Sequence, residues 1–309
     1  MLIGRTKNAV DVAMDLRVWI VLAIVTSLLI KPLDIDSSML IIITLMIQMT
    51  LALDGLSISK KDIMGGGRNG LLSIFLCYVM NTAVTLACGL FFIKDNPDIW
   101  HGWVMLASMP CAISVVTAAV LVKGNLNASL IGVTATYTAG IVLTPLISFA
   151  ILGNAVNPFE ILKYILLFIL IPVILARLLS VLHLKRTVKV PVINLMMFIM
   201  VFLAVNANHE FIMNFPELIL VTAVIVVVRV AALHLITAVI LRKIRTPEMS
   251  YTVFLVMGVW KNTGLSVSMS MLLLAPEAVI PCFLSLIVES LWFSLVTNKP
   301  VTNPAEPVA

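Results

Sequence analysis

One ammonium group in the middle of an apolar run carries the most chemical information in this sequence. Lys261 stands in Val256-Met257-Gly258-Val259-Trp260-Lys261-Asn262-Thr263-Gly264-Leu265-Ser266, between two glycines and beside an amide. A charge placed there is costly, so it marks a functional position by default. The plainer alternatives are a buried pair with Glu289 or Asp54, or capture by carbonyls freed where the helix breaks. A second run, Leu106-Ala107-Ser108-Met109-Pro110-Cys111-Ala112-Ile113-Ser114-Val115-Val116-Thr117, sets Pro110 and Cys111 among small and hydroxylated residues. A proline inside a helix removes a hydrogen bond and clashes with the preceding turn, so this segment is read as interrupted too. Arg229 is a further cation in an apolar run, there either to pair with Glu289 or to hold two helices together. Amides in such runs bond across to neighbouring helices, which suits Asn206 and Asn208, while Asn81 is also a candidate for a site. The hydroxyls of Ser129, Thr134, Thr136 and Thr138 either line a polar path or bond back to their own helix carbonyls.

The elements that must position these groups are membrane helices. Of 309 residues, 61% are hydrophobic and 11% charged, with a mean hydropathy of +1.14. Such a composition puts the lipid bilayer, not water, around the chain. In hydrocarbon every backbone polar group needs an internal partner, so long apolar runs are helices, whereas a barrel would show short alternating segments. The fold class is therefore all-α and polytopic. The first apolar run, Val18 to Ile30, lacks a small-x-small cleavage pattern behind it and is read as a retained span. Cys77, Cys88, Cys111 and Cys282 lie inside apolar runs without C-x-x-C spacing, and the histidines are scattered, so neither a disulfide framework nor a zinc site is expected. No cofactor is expected either. The formal charge of +5 is accounted for by membrane topology and does not call for nucleic acid. The absence of G-x-G-D, H-E-x-x-H and G-x-S-x-G patterns speaks against an enzyme, and the absence of a filter motif against a channel.

Charge and turn clusters divide the chain into ten spans at roughly 15–32, 38–57, 70–93, 102–122, 126–151, 160–183, 190–208, 215–241, 250–274 and 277–297. With the amino terminus inside, fifteen of the twenty Lys and Arg residues fall on the cytoplasmic side and three, Lys31, Lys94 and Lys163, on the other; Arg229 and Lys261 lie within spans. The positive-inside rule then places both termini in the cytoplasm of a prokaryotic inner membrane. Ten spans divide into two halves, 1–151 and 152–309, and an odd number per half makes the repeats inverted. The interrupted segment is the fourth of each half. Matched interruptions point to a carrier's binding site, because half-helix ends and unwound backbone offer charge and hydrogen bonds at the midplane.

Met109-Pro110 with its small residues, then Lys123-Gly124-Asn125, Ser129 and Leu143-Thr144-Pro145, resembles the fourth and fifth spans of the bile acid:sodium symporter family, which read C-P-G-G-T-A-S-N, R-G-N and L-T-P. The spacing between the two prolines matches without a gap. Asn262-Thr263-Gly264-Leu265 is similar to that family's Q-N-S-G-L, and Leu53-Asp54-Gly55-Leu56-Ser57 to its M-G-L-T. The resemblance implies a panel domain from spans 1, 2, 6 and 7 and a core domain from spans 3–5 and 8–10, with spans four and nine crossing as broken helices. It also implies transport of a small organic anion from a cleft between the domains, driven by two sodium ions beside the crossing. Pro110, Cys111, Ser114, Thr117, Lys261, Asn262, Thr263 and Gly264 become the crossing and substrate residues.

The sodium ligands of the family are largely replaced. Its Ser-Asn pair falls on Val115 and Val116, its threonine on Val133, its shared glutamate on Met257 and its ninth-span glutamine on Lys261, while Ser129 keeps its type. Sodium is a hard cation that needs several oxygen ligands, which valine and methionine cannot supply. Ser129, Thr134, Asn81, Met257, Lys261 and Glu289 are left as candidates for the coupling ion or as neighbours of the lysine. The Lys261 ammonium is expected to stand where the relatives hold sodium, with coupling through its protonation or with no coupling ion. Two relatives offer alternatives: an arsenite exporter, in which Cys111 would be the soft ligand, and an auxin-efflux-type carrier that runs without sodium.

Overall fold

The computed structural model describes residue 13 and residues 15–33, 36–54, 66–182 and 184–297. The Gly55-Leu56-Ser57 part of the second-span motif and the Lys60-Lys61 pair lie outside the described residues. The described chain is helical, apart from one isolated antiparallel bridge between Cys111 and Lys261.

Among the described residues six helices are long and apolar enough to cross a membrane, and each falls on an expected span. They are α3 (Gly67–Phe92), α6 (Leu126–Leu152), α7 (Pro158–Leu182), α8 (Arg186–Ala207), α10 (Pro216–Lys243) and α13 (Ile280–Thr297, entered by the tight turn Pro276–Val279). The first two expected spans are shorter apolar helices, α1 (Leu16–Leu29) and α2 (Ser38–Leu53). The fourth comes as α4 (Pro97–Ser108) and α5 (Ser114–Leu121), and the ninth as α11 (Glu248–Val259) and α12 (Thr263–Leu273). A short α9 (His209–Asn214) links α8 to α10. The helix starts are capped as the sequence dictates. Asp15, Asn125, Asn157 and Asn262 each accept a first-turn amide with their side chain, and Pro158 occupies the first turn of α7.

Apolar and polar residues are sorted for lipid. Large aliphatic side chains such as Leu29, Leu178 and Leu235 are exposed, while Arg229, Lys261, Glu289 and Asn81 are each 0% exposed. The outer surface is thus the oily one, and the charges are inside where protein can pair them. α8 packs on α1 and α2, and α7 on α2; α3 packs on α6, and α10 on α11 and α13. Close approach depends on small residues: a Cβ on Gly102 of α4 would sit 1.9 Å from the Ala278 carbonyl oxygen in the turn before α13. A strap joins the two interrupted segments at one end. Beyond α5, Lys123 adopts a φ of +50°, and Asn125 then donates its amide to the Met249 carbonyl (2.6 Å) and its side chain to Ser250 Oγ (3.1 Å). The Lys-Gly-Asn motif is therefore a fastener between α5 and α11.

Sequence boundaries err where charge was taken for loop. Lys189, expected in the break before the seventh span, lies near the start of α8 and bonds Asp54. The π-helical stretch Phe75–Asn81 inside α3 was not anticipated; such wide turns have no hydropathy signature.

Arg229 is a strut between three helices. Its guanidinium donates to Glu289 Oε1 on α13 (2.7 Å), Ser285 Oγ (3.3 Å), Thr85 Oγ1 on α3 (2.8 Å) and Asn81 Oδ1 (3.5 Å). Glu289 thus pairs with Arg229 and not with the Lys261 ammonium, while it lies beside the Lys261 main chain and so keeps its place among the lysine's neighbours. Removing one member of a buried pair strands the other charge. Arg229→Met is accordingly expected to lower the unfolding free energy of the purified protein in detergent by about 3 to 5 kcal/mol, and Arg229→Met with Glu289→Leu to recover most of the loss. A double variant no more stable than Arg229→Met would show that the pair is not the source of the effect.

Candidate functional site

The two interruptions meet. α4 ends at Ser108, and Met109 leaves it in an extended conformation; α11 ends at Val259, and Trp260 does the same. The segments run antiparallel for three residues, with Cys111 opposite Lys261. Asn262 donates its amide to the Pro110 carbonyl (2.8 Å), and Ala112 donates to the Trp260 carbonyl (3.0 Å). Each break supplies one donor and one acceptor to the other. Pro110 has no N–H to offer, and its ring keeps the preceding residue extended, so the segment pairs sideways instead of continuing the helix.

A helix end in an apolar interior must have its last carbonyls satisfied. At the end of α4, Ser108 Oγ bonds the Met105 carbonyl, Thr82 Oγ1 the Ala107 carbonyl, and Thr144 Oγ1 the Ser108 carbonyl, all at 2.8 Å. Lys261 Nζ takes the Met109 carbonyl at 2.8 Å. The same ammonium reaches the Cys77 carbonyl in the π-helical stretch of α3 at 2.8 Å and Thr82 Oγ1 at 3.3 Å, and lies over the Tyr78 ring, 4.9 Å from its centroid. At the end of α11, Asn81 Nδ2 spans the Gly258 and Val259 carbonyls (2.9 and 3.0 Å), while its oxygen accepts from Thr85 and Arg229. A cation thus stands at each half-helix C-terminus, Lys261 directly and Arg229 through Asn81, where the helix dipole is negative. Of the partners expected for Lys261, freed carbonyls are the ones found. Asp54 is held instead by Lys189.

The positions that resemble sodium ligands carry mostly apolar or sulfur side chains. Val115, Val116, Val133 and Met257 are all buried. The Met257 thioether fills a notch over Gly132, where a Cβ would meet its methyl at 2.3 Å, its sulfur at 2.7 Å and Ser73 Oγ at 2.5 Å. Ser129 spends its hydroxyl on the Leu126 carbonyl, and Thr134 lies on the exposed face of α6, away from the crossing, which removes it as a coupling candidate. The side-chain oxygens a hard cation requires are missing from these positions.

A cleft of about 350 Å³ opens beside the crossing, between α2 and α8 on one side and α5, the second break and the start of α12 on the other. Ser114, Thr117, Asn262, Thr263 and Gly264 line it. Pro110, Cys111 and Lys261 do not: they form the joint behind it, with Cys111 Sγ turned to Thr136 Oγ1 (3.0 Å). Asn262 is fixed by donating to Tyr137 Oη (2.6 Å) while its oxygen caps α12. Gln48, Lys189 and Trp260 line the cleft without having been singled out, as does Asp54, which was considered only as a partner of Lys261 and within the second-span motif. Gln48 was legible as the one amide in the apolar run 38–53; Lys189 was hidden by its place in a basic cluster. Gln48 Oε1 is buried without a hydrogen-bond partner and faces Gly264. Asn206 bonds across to the Leu33 amide beyond α1, as expected of a fastener, whereas Asn208 bonds back to the Ala204 carbonyl of its own helix.

No curated protein matches the sequence. The description of the SBF-like CPA transporter family (DUF4137) fits residues 15–288, a stretch that contains both breaks, the strap and the cleft. This integral membrane protein therefore belongs to the SBF-like CPA transporter family, within the superfamily of bile acid:sodium symporters and arsenite and auxin carriers.

Proposed function

We propose that the protein is a secondary carrier that moves a small organic anion across a prokaryotic inner membrane by alternating access, without sodium, and with the Lys261 ammonium as a built-in substitute for the coupling ion. The observation that carries this reading is the joint itself: two interrupted helices meeting at a cleft, with a tethered cation bonded to the carbonyls at the break. Ten crossings in two inverted halves, with both termini cytoplasmic, fit the charge sorting of the loops. The packing of α1, α2, α7 and α8 on one another supports a panel domain from those helices, with the others as the core that carries the crossing.

Charge favours an anion. The buried ionisable groups around the joint are Lys261, Arg229 and Glu289, a formal sum of one positive charge. The amino-terminal ends of α5 and α12 border the cleft through Ser114, Thr263 and Gly264, and helix amino-termini favour negative charge. The cleft holds about a dozen water-sized groups, which points to a solute smaller than a sterol. Cys111 faces Thr136 and not the cleft, which speaks against arsenite as cargo.

Uptake of labelled carboxylates and sulfonates into proteoliposomes is expected to proceed at equal rates in sodium and in choline media. Rates that collapse without sodium would overturn the tethered-cation role, and the absence of uptake of every anion under any gradient would overturn the carrier reading. Lys261→Met is expected to slow transport at least about tenfold and to cost about 2 to 6 kcal/mol of stability, since two buried carbonyls lose their donor. Transport and unfolding unchanged by that substitution would show that the ammonium does not hold the joint.

A further inference from the structure

The cation that meets the substrate is a different one. Lysine has three N–H donors, and those of Lys261 are matched by the Cys77 carbonyl, the Met109 carbonyl and Thr82 Oγ1, all behind the cleft wall. Lys261 has no donor left for a solute. Lys189 differs in each respect. Its side chain is 21% exposed, it lines the cleft, and it bonds Asp54 Oδ2 at 2.9 Å with only a long contact to the Asp54 carbonyl at 3.4 Å.

The placement of Asp54 is telling. It is the C-cap of α2, where the helix dipole disfavours a carboxylate, and its side chain is 3% exposed. Neither helix propensity nor solvation accounts for an acid there, and among the described residues its counter-charge is Lys189. A carboxylate that needs its lysine makes that lysine hard to win. A neutral solute cannot loosen the pair, whereas an anion in the cleft competes for the ammonium directly.

We propose that Lys189, held in reserve by Asp54 at the edge of the cleft, is the specificity-determining cation that receives the anionic group of the substrate, and that Asp54 sets how strongly an anion must bind to engage it. The inference rests on the carrier reading above. Binding occurs by exchange of ionic partners, with the anion joining or displacing Asp54 on the Lys189 ammonium.

The test is calorimetric titration of the full chain in lipid nanodiscs with hexanoate, hexanesulfonate and hexylamine. The two anions are expected to bind the wild-type protein and the amine not to bind. Lys189→Gln is expected to weaken both anions about tenfold or more, Lys189→Arg to restore most of the affinity, and Asp54→Asn to tighten binding several-fold by freeing the ammonium. Unfolding midpoints within a few degrees of wild type identify variants that fold, and Lys189→Arg keeps the test open should Lys189→Gln not fold. Anions that bind wild type and Lys189→Gln equally would reduce the pair to a staple between α2 and α8 and overturn this proposal while leaving the carrier reading intact. Binding of hexylamine alone, lost in Asp54→Asn, would overturn both the proposal and the choice of an anion. Wild-type protein that binds neither anion would likewise remove the reading on which the proposal rests.

Discussion

Hydrogen-bond closure inside an apolar interior is the constraint from which the rest of this structure follows. Two helices stop at mid-course, which frees carbonyls and amides that neither lipid nor a well-packed core can satisfy. The solution is reciprocal. Each break completes the other through Asn262 to Pro110 and Ala112 to Trp260, and polar side chains from α3, α6 and the breaks themselves take the remaining carbonyls. The otherwise costly groups, a lysine, an arginine, a glutamate and an asparagine with no exposure, are therefore consequences of the interruption. Without it there would be no reason to bury them.

The fold was legible to the extent that lipid simplifies the reading. Apolar runs and basic clusters located the helices to within a few residues, and the matched interruptions at Pro110 and Lys261 identified the place where they meet. Side-chain direction was not legible. Nothing in a linear sequence says that the Lys261 ammonium turns back toward Cys77 and Met109 while the neighbouring Asn262 and Thr263 face the cleft, because that follows from the extended backbone at Trp260 and from the π-helical stretch of α3. The partner of Glu289 was left open for the same reason. Arg229 and Lys261 were equally plausible partners until the packing of α10 on α13 decided between them.

The loss of the family's sodium ligands is likewise a packing statement once the structure is seen. Replacing a glutamate by Met257 alone would leave a hole; here the thioether is seated over Gly132 and against Ser73, so the position has been filled with hydrocarbon and sulfur. The apolar contact at Met257 and the ammonium of Lys261 at the neighbouring break are what the proposed sodium-free carrier would need, one in place of a carboxylate and the other in place of an external cation.

The strap from Asn125 to Met249 and Ser250 has a mechanical meaning. Two rods clamped at their midpoints alone can still scissor about the clamp; clamped a second time near one tip, they become a truss. α5 and α11 are held at the crossing and again at this strap, so shear between them is blocked. In the carrier proposed above, a displacement that exposes the cleft to the opposite side of the bilayer would fall on the seam where α5 and α12 face α2 and α8, and the joint would travel along that seam as a rigid passenger.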